Sequence, residues 1–242
     1  MLDGVTPFPA EFAARYRELG YWEDRPLFDG FTAALATYAD RVALVDADGP
    51  VTYAQLGERS ARLARVLLDL GFGPLDRIVV QLPNTAVFAH LYFALQRLSG
   101  GTTGIPKLIP RSHNDYLYNS KVAAAVCEIG EGDVLLDVLP IEHNLPLGCP
   151  GLQGFLLSGG TVVLGTSTRP RDVFELIQRH RVTHIHLVPA LLIRWIDDPA
   201  ITRYDLSSLR VIQSGGQRLQ PEVRLRAERA LPGCWSPSTS SR

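Results

Sequence analysis

Cysteine is scarce in this chain: there are three among 242 residues, Cys127, Cys149 and Cys234, far apart and odd in number. That count argues against a disulfide framework and a CxxC metal site, and it suits a reducing compartment. An excess of one charge is missing too. Lys and Arg total 24 against 25 Asp and Glu, a net charge of -1 with His neutral, and the basic residues are scattered rather than massed. There is thus no electrostatic case for a nucleic-acid or membrane-surface partner. No apolar run approaches the roughly 20 residues that a membrane span needs. The opening MLDGVTPFPAEF has no basic stretch followed by an apolar one, as a signal peptide would. A cytoplasmic protein with no nucleic-acid or membrane partner is the expectation.

What is present is ordinary globular material, 46% hydrophobic and 20% charged, in a chain long enough to bury a sizeable core. Apolar spacing predicts helices over 11–20, 31–38 and 56–70, the last closed by Gly71. The cluster Tyr21, Trp22 and Phe28 is expected to pack a surface arm onto the body. Residues 43–46 and 51–53 flank Asp48-Gly49-Pro50 and read as a hairpin. RIVVQ at 77–81 reads as a strand buried on both faces, followed by a helix over 86–95 that Thr85 is placed to cap. Thereafter strands at 108–110, 134–139, 161–164, 184–188 and 209–213 alternate with helices at 115–127, after Pro150, and at 171–181, 190–197 and 221–231. Strands and helices taking turns predict an α/β fold, a mainly parallel sheet flanked by helices. Two joins break the order. Gln96-Arg97-Leu98 is still helical in character where the glycines begin, and the tail WSPSTSSR is low in complexity.

The strongest chemical signal is the run Ser99, Gly100, Gly101, Thr102, Thr103, Gly104, Ile105, Pro106 and Lys107. Its glycines allow the backbone to come close to a ligand. Hydroxyls and exposed amides make a ring of donors for phosphate oxygens, and Lys107 adds a point charge. Neither GxxxxGK[ST] nor GxGxxG is present, so this is neither a P-loop nor a dinucleotide fingerprint. A flexible Gly/Thr linker is the plain alternative. The Pro-Lys pair directly behind the run favours phosphate binding.

The string LSGGTTGIPKLIPRSHNDY resembles the phosphate loop of the adenylate-forming superfamily. More narrowly it is similar to the stand-alone aryl-acid adenylating enzymes of the 2,3-dihydroxybenzoate–AMP and salicylate–AMP ligase type. YRELGYWEDRPLFD, VTYAQL, GPLDRIVVQLPN, LPIEHNLPLGCPG and DLSSLRVIQSGG agree with that subgroup, from about residue 8 to about residue 234. The resemblance implies ATP with Mg²⁺, an aryl acid activated to aryl-AMP, and transfer to the phosphopantetheine thiol of an aryl carrier protein in siderophore or peptide antibiotic synthesis. It makes His143 and Lys107 the candidate catalytic residues, and Ser99 to Gly104 with Lys107, Gly215, Gly216 and Gln217 the nucleotide-binding ones. His143, Asn144, Leu145, Cys149, Ser214 and Gly215 become the substrate set. Asn144 stands where relatives acting on amino acids keep an Asp for the substrate ammonium. A neutral amide instead suits a phenol beside the carboxylate. Cys149 leans towards salicylate, and Leu145 departs from the aromatic that relatives often carry. Relatives also commonly have Ala where Gln217 stands. No base is indicated beside Cys149, so its thiol is not read as a nucleophile. His184 and His186 alternate on one strand without a third ligand and read as a packed pair; no metal ligand is assigned.

The same resemblance marks what the chain lacks. Between Leu98 and Ser99 the family has a long segment, so 1–98 reads as a partial first subdomain and 99–234 as a second, with 235–242 an aberrant tail. The aromatic–Gly–x–x–Glu motif, the ribose-binding Asp and the small carboxy-terminal domain with its Lys would follow Cys234. One choice of synonymous codons for the tail, read two bases on, gives VSQHVFS, similar to the family's strand there. A frameshift is therefore expected, and sequencing the gene tests it. Two functions compete: an aryl-acid–AMP ligase, or an inactive remnant with at most weak nucleotide or carrier-protein binding. A kinase is a weaker third, disfavoured by the absence of a P-loop; release of AMP or ADP separates it.

Overall fold

In a computed structural model, residues 8–73, 76, 78–98 and 112–234 are described. The glycine-rich run, the strand expected over 108–110 and the tail lie outside them.

The chain opens with α1 (Ala10–Glu18) and α2 (Leu27–Thr37), then the antiparallel pair β1 (Val42–Asp46) and β2 (Gly49–Thr52). Asp46 pairs with Gly49, so the turn sits one residue earlier than expected and Pro50 lies inside the edge strand. The edge is where a residue without an N–H is tolerated. Next comes α3 (Tyr53–Asp69). Its start is a capping box in which the Thr52 hydroxyl accepts from the Gln55 N–H and the Gln55 side chain accepts from the Thr52 N–H. Its end is a Schellman turn on Gly71 (φ 90°), with Phe72 N–H to Leu67 O and Gly71 N–H to Leu68 O.

The strand expected at 77–81 does not form among the described residues 78–81, and Val79 is 67% exposed. A strand needs a free ladder. Here β1 bonds directly to β2 on one side and to β4 (Thr161–Leu164) on the other, so neither edge of β1 is open to it. The following helix, α4 (Ala86–Arg97), forms as predicted, but the cap differs. Thr85 makes no side-chain cap bond; the Asp46 carboxylate accepts from Ala86 N–H at 2.8 Å instead. A carboxylate is at least as good a partner for a helix N-terminus, and β1 places this one there.

The second half supplies α5 (His113–Val126), β3 (Val134–Asp137), α6 (Asn144–Gly148), α7 (Gly151–Leu157), β4, α8 (Pro170–His180) and β5 (His184–Leu187). It ends with α9 (Pro189–Ile196), a short 3-10 turn, β6 (Val211–Ser214) and α10 (Pro221–Ala230). The six strands order as β2-β1-β4-β3-β5-β6, parallel except for the first pair. The sheet thus runs across position 98, because β1 pairs with β4.

Alternation along the strands sends side chains to two cores. Leu44, Leu135 and Val162 meet Phe31, Tyr53, Phe93 and Phe155 on one face. Leu136, Val163 and Ile185 meet Phe174, Ile177 and Trp195 on the other. Burial on both faces is what makes these strands read as apolar runs. The amino-terminal arm docks as expected in part. Tyr21 stacks on Tyr118 of α5 with ring centroids 4.6 Å apart, and Trp22 packs against Tyr16 of α1. Phe28 goes into the core beside Phe93, with the Arg97 guanidinium 4.0 Å above its ring.

Candidate active site

In an open parallel sheet, ligands gather where the strands end at their carboxyl edge. Three strand exits meet there in this chain. β3 leads through a turn to α6, β5 ends at Leu187, and β6 runs into Gly215 and Gly216, with Gly215 N–H bonded to Leu187 O at 3.1 Å. His143 is the N-cap residue of α6, its carbonyl accepting from Leu147 N–H, and its side chain is exposed. Asn144 and Leu145 occupy the first turn.

The fit between the two exits is close. A Cβ placed on Gly215 would lie 2.9 Å from Leu145 Cδ2, so the leucine occupies the space a larger residue would need. Gly216 has φ 83°, a conformation that glycine adopts without penalty. Leu145, in the first turn of α6, is therefore brought against Gly215, although 70 residues separate the two in sequence.

Beneath Asn144, its Nδ2 donates to Cys149 Sγ at 3.1 Å. The same sulfur receives Asn119 Nδ2 from α5 at 3.2 Å, and Asn119 also donates to Gly148 O. Cys149, Asn119 and Gln213 share a cavity of about 700 Å³, walled on its outer side by Tyr16, Tyr21 and Trp22 of the arm. Ser214 and Gln217 instead face a second cavity of about 560 Å³, together with Arg218 and Arg224. Of the predicted residues, Cys149 thus lines the first hollow and Ser214 and Gln217 the second, while His143, Asn144, Leu145, Gly215 and Gly216 line neither. Asn119 was not singled out from sequence. The signal was its place on one face of α5 with Asp115, Tyr118 and Val122, at spacings of three and four.

Three buried groups lie on the strands that lead to this edge. His186 is held down to about 3, chiefly by burial and then by His184, with the Gln213 side chain opposing. His184 is also lowered, again mainly by burial, while Asp133 pulls the other way; its ring stands edge-on to Phe155 at 5.1 Å. Both imidazoles are neutral at physiological pH. At the end of β3, Asp137 is fully buried, and neither carboxylate oxygen has a hydrogen-bond partner of regular geometry among the described residues. Burial, and secondarily Glu142, raises its pKa well above the ordinary value, against a weaker pull from the Leu139 backbone.

The AMP-binding enzyme family profile matches residues 31–100 and 98–238. The chain belongs to that family. The two matched pieces meet at 98–100, where the family's long segment was expected to be missing. Among relatives of this AMP-binding chain is a salicylyl-CoA synthase / salicylate adenylyltransferase of a Streptomyces species. It is 34% identical over 334 residues, covering 96% of this chain and 60% of the relative. That alignment is longer than the chain's own 242 residues, so the relative carries stretches this chain lacks. A 2,3-dihydroxybenzoate-AMP ligase of Bacillus subtilis is 32% identical, covering 97% and 60%. In three dimensions the chain is similar to the apo structure of Mycobacterium smegmatis MbtA, with a TM-score of 0.87, 30% identity and coverage of 96% and 60%. The chain spans about 60% of the length of these relatives. As an AMP-binding domain it is α/β, with a parallel sheet flanked by helices, and no described helix is long and apolar enough to cross a membrane.

Proposed function

We propose that this chain carries the acid-binding part of an aryl-acid–AMP ligase, with salicylate or 2,3-dihydroxybenzoate as the substrate class. The observation that carries the reading is Asn144: a neutral amide at the carboxyl edge of the sheet, anchored on Cys149 and one residue from the Leu145–Gly215 contact. A carboxamide there can meet a phenolic hydroxyl but cannot pair with an ammonium. Relatives named for salicylate and 2,3-dihydroxybenzoate support the same class.

Gly215, packed against the Leu145 side chain, and the left-handed Gly216 are the described residues offered to a nucleotide between acid and adenine. Ser99 to Gly104 and Lys107 are proposed to hold its phosphates. ATP supplies the α-phosphorus that the aryl carboxylate oxygen attacks, with pyrophosphate leaving and aryl-AMP formed. The chain's own residues position the acid, and the carboxylate is its own nucleophile, so orientation and charge stabilisation are the protein's contribution. No described residue is assigned to Mg²⁺. Transfer of the acyl group to a carrier-protein thiol belongs to the same proposal.

Coverage of about 60% of the relatives' length favours a second reading, a chain that binds without turning over. Pyrophosphate exchange with a panel of aryl acids decides. Exchange that depends on salicylate or 2,3-dihydroxybenzoate, and is lost in Asn144→Ala, is the expected result. No exchange with any acid, alongside measurable salicylate binding, would establish the second reading.

A further inference from the structure

We infer that Asn119, on α5, is a positioning residue that sets the hydroxyl selectivity of the acid site by acting through Cys149. The inference rests on the proposed aryl-acid reading and adds a residue to it.

Two carboxamides converge on one sulfur. Asn144 Nδ2 stands 3.1 Å and Asn119 Nδ2 3.2 Å from Cys149 Sγ, and the thiol in turn faces the oxygen of the same Asn119 amide as an acceptor at 3.6 Å. A thiol is a weak acceptor, so neither bond is strong by itself. Their effect is geometric. Asn144 sits exposed in the first turn of a five-residue helix, and among the described residues the Cys149 sulfur is the partner that holds its amide in one sense. Asn119, by contrast, is half-buried on a fourteen-residue helix closed at its start by a Ser112–Asp115 capping box, and it is also bonded to Gly148 O. It therefore fixes both the carbonyl before Cys149 and the sulfur itself. With the sulfur held, Asn144 keeps an N–H on it and turns its oxygen away, as an acceptor for an ortho-hydroxyl. Without Asn119 the thiol can rotate and the Asn144 amide can invert, so an acid with an ortho-hydroxyl loses its advantage over one without.

The test is calorimetric binding of salicylate and benzoate to the 242-residue chain and its variants. Asn119→Ala is expected to lower the salicylate-over-benzoate ratio about fivefold, the worth of one ordinary hydrogen bond, with benzoate affinity nearly unchanged. In a Cys149→Ala background, Asn119→Ala should cause no further change, which a merely structural role would not produce. The isosteric Asn119→Asp, which keeps the volume but removes the N–H donors, should show the same loss if the alanine variant does not fold. An unchanged ratio in both variants, or equal effects with and without Cys149, overturns the role of Asn119 while leaving the acid site standing. A wild-type chain that binds neither acid, or both equally, overturns the aryl-acid reading itself and this inference with it.

Discussion

A single carboxyl group shows how far one residue can work against the fold that holds it. Asp137 pairs in register with Leu164 on the inner strands of the sheet, yet its side chain finds no regular hydrogen bond among the described residues. Its raised pKa means the folded chain binds a proton that the unfolded chain releases above about pH 4. The contribution of this one carboxyl to stability is then fullest below that value and is lost as pH rises towards its folded-state pKa, opposite in sign to that of the buried histidines. Asp137→Asn is expected to stabilise the chain by about 1–3 kcal/mol at pH 8 and to flatten this slope, since an amide carries no charge to desolvate. Urea unfolding at pH 5 and pH 8 checks it; an equal effect at both would exclude the buried charge as the cause. Asn84 is the contrasting case. Also buried, it spends its amide on the carbonyls of Asp137, Leu139 and Gly165 and accepts from Ile141 N–H, tying the β3 exit to β4. Both are polar residues in the core, and sequence alone could not tell the satisfied one from the orphan.

Among the elements, the tightest joint is that between α6 and α7, which carries Asn144 and Cys149. Gly151 has φ 48°, and a Cβ there would lie 2.1 Å from Pro146 O and 2.8 Å from Leu145 O, both backbone atoms that cannot move aside cheaply. Gly71 has φ 90° but open space around it. Gly71→Ala should therefore cost about 1 kcal/mol from backbone strain alone, and Gly151→Ala about 3 kcal/mol or more. Thermal unfolding of the two variants measures the difference, and comparable losses would mean that the close approach is relieved elsewhere. Helices were legible because apolar spacing and the glycine after α3 are local signals, but α3 and α5 start three and two residues earlier than the spacing predicts, at capping boxes on Thr52 and Ser112. The strand expected at 77–81 failed because composition reports how well a segment would suit a buried ladder, not which strand the fold places beside it, and both ladders of β1 are filled by β2 and β4. The cap of α4 failed for a similar reason. Its best acceptor, Asp46, lies 40 residues away in sequence.

Across the whole molecule, the two buried histidines of β5 make acid the direction of weakness. The folded-state value of His186, about 3, lies below its ordinary 6.5, so the unfolded chain takes up protons first as pH falls. The stability it allows is complete above about 6.5 and declines towards 3, by about 1 kcal/mol per pH unit for one fully shifted group. His184, lowered in the same direction, adds to the slope. His186→Gln should shallow the acid limb of a midpoint-against-pH curve; an unaltered limb would assign it to other groups. Local patterning by itself determined the alternation of strands and helices, the neutral amide at Asn144 and the glycines at 215 and 216, because each depends on residue type or short-range spacing. Only the tertiary structure decided that β1 and β4 become neighbours, that Leu145 fills the space over Gly215, and that Asn119 reaches Cys149 from another helix. Contacts between residues distant in the chain are selected by which faces can be buried together, and that is a property of the packed sheet rather than of any segment within it.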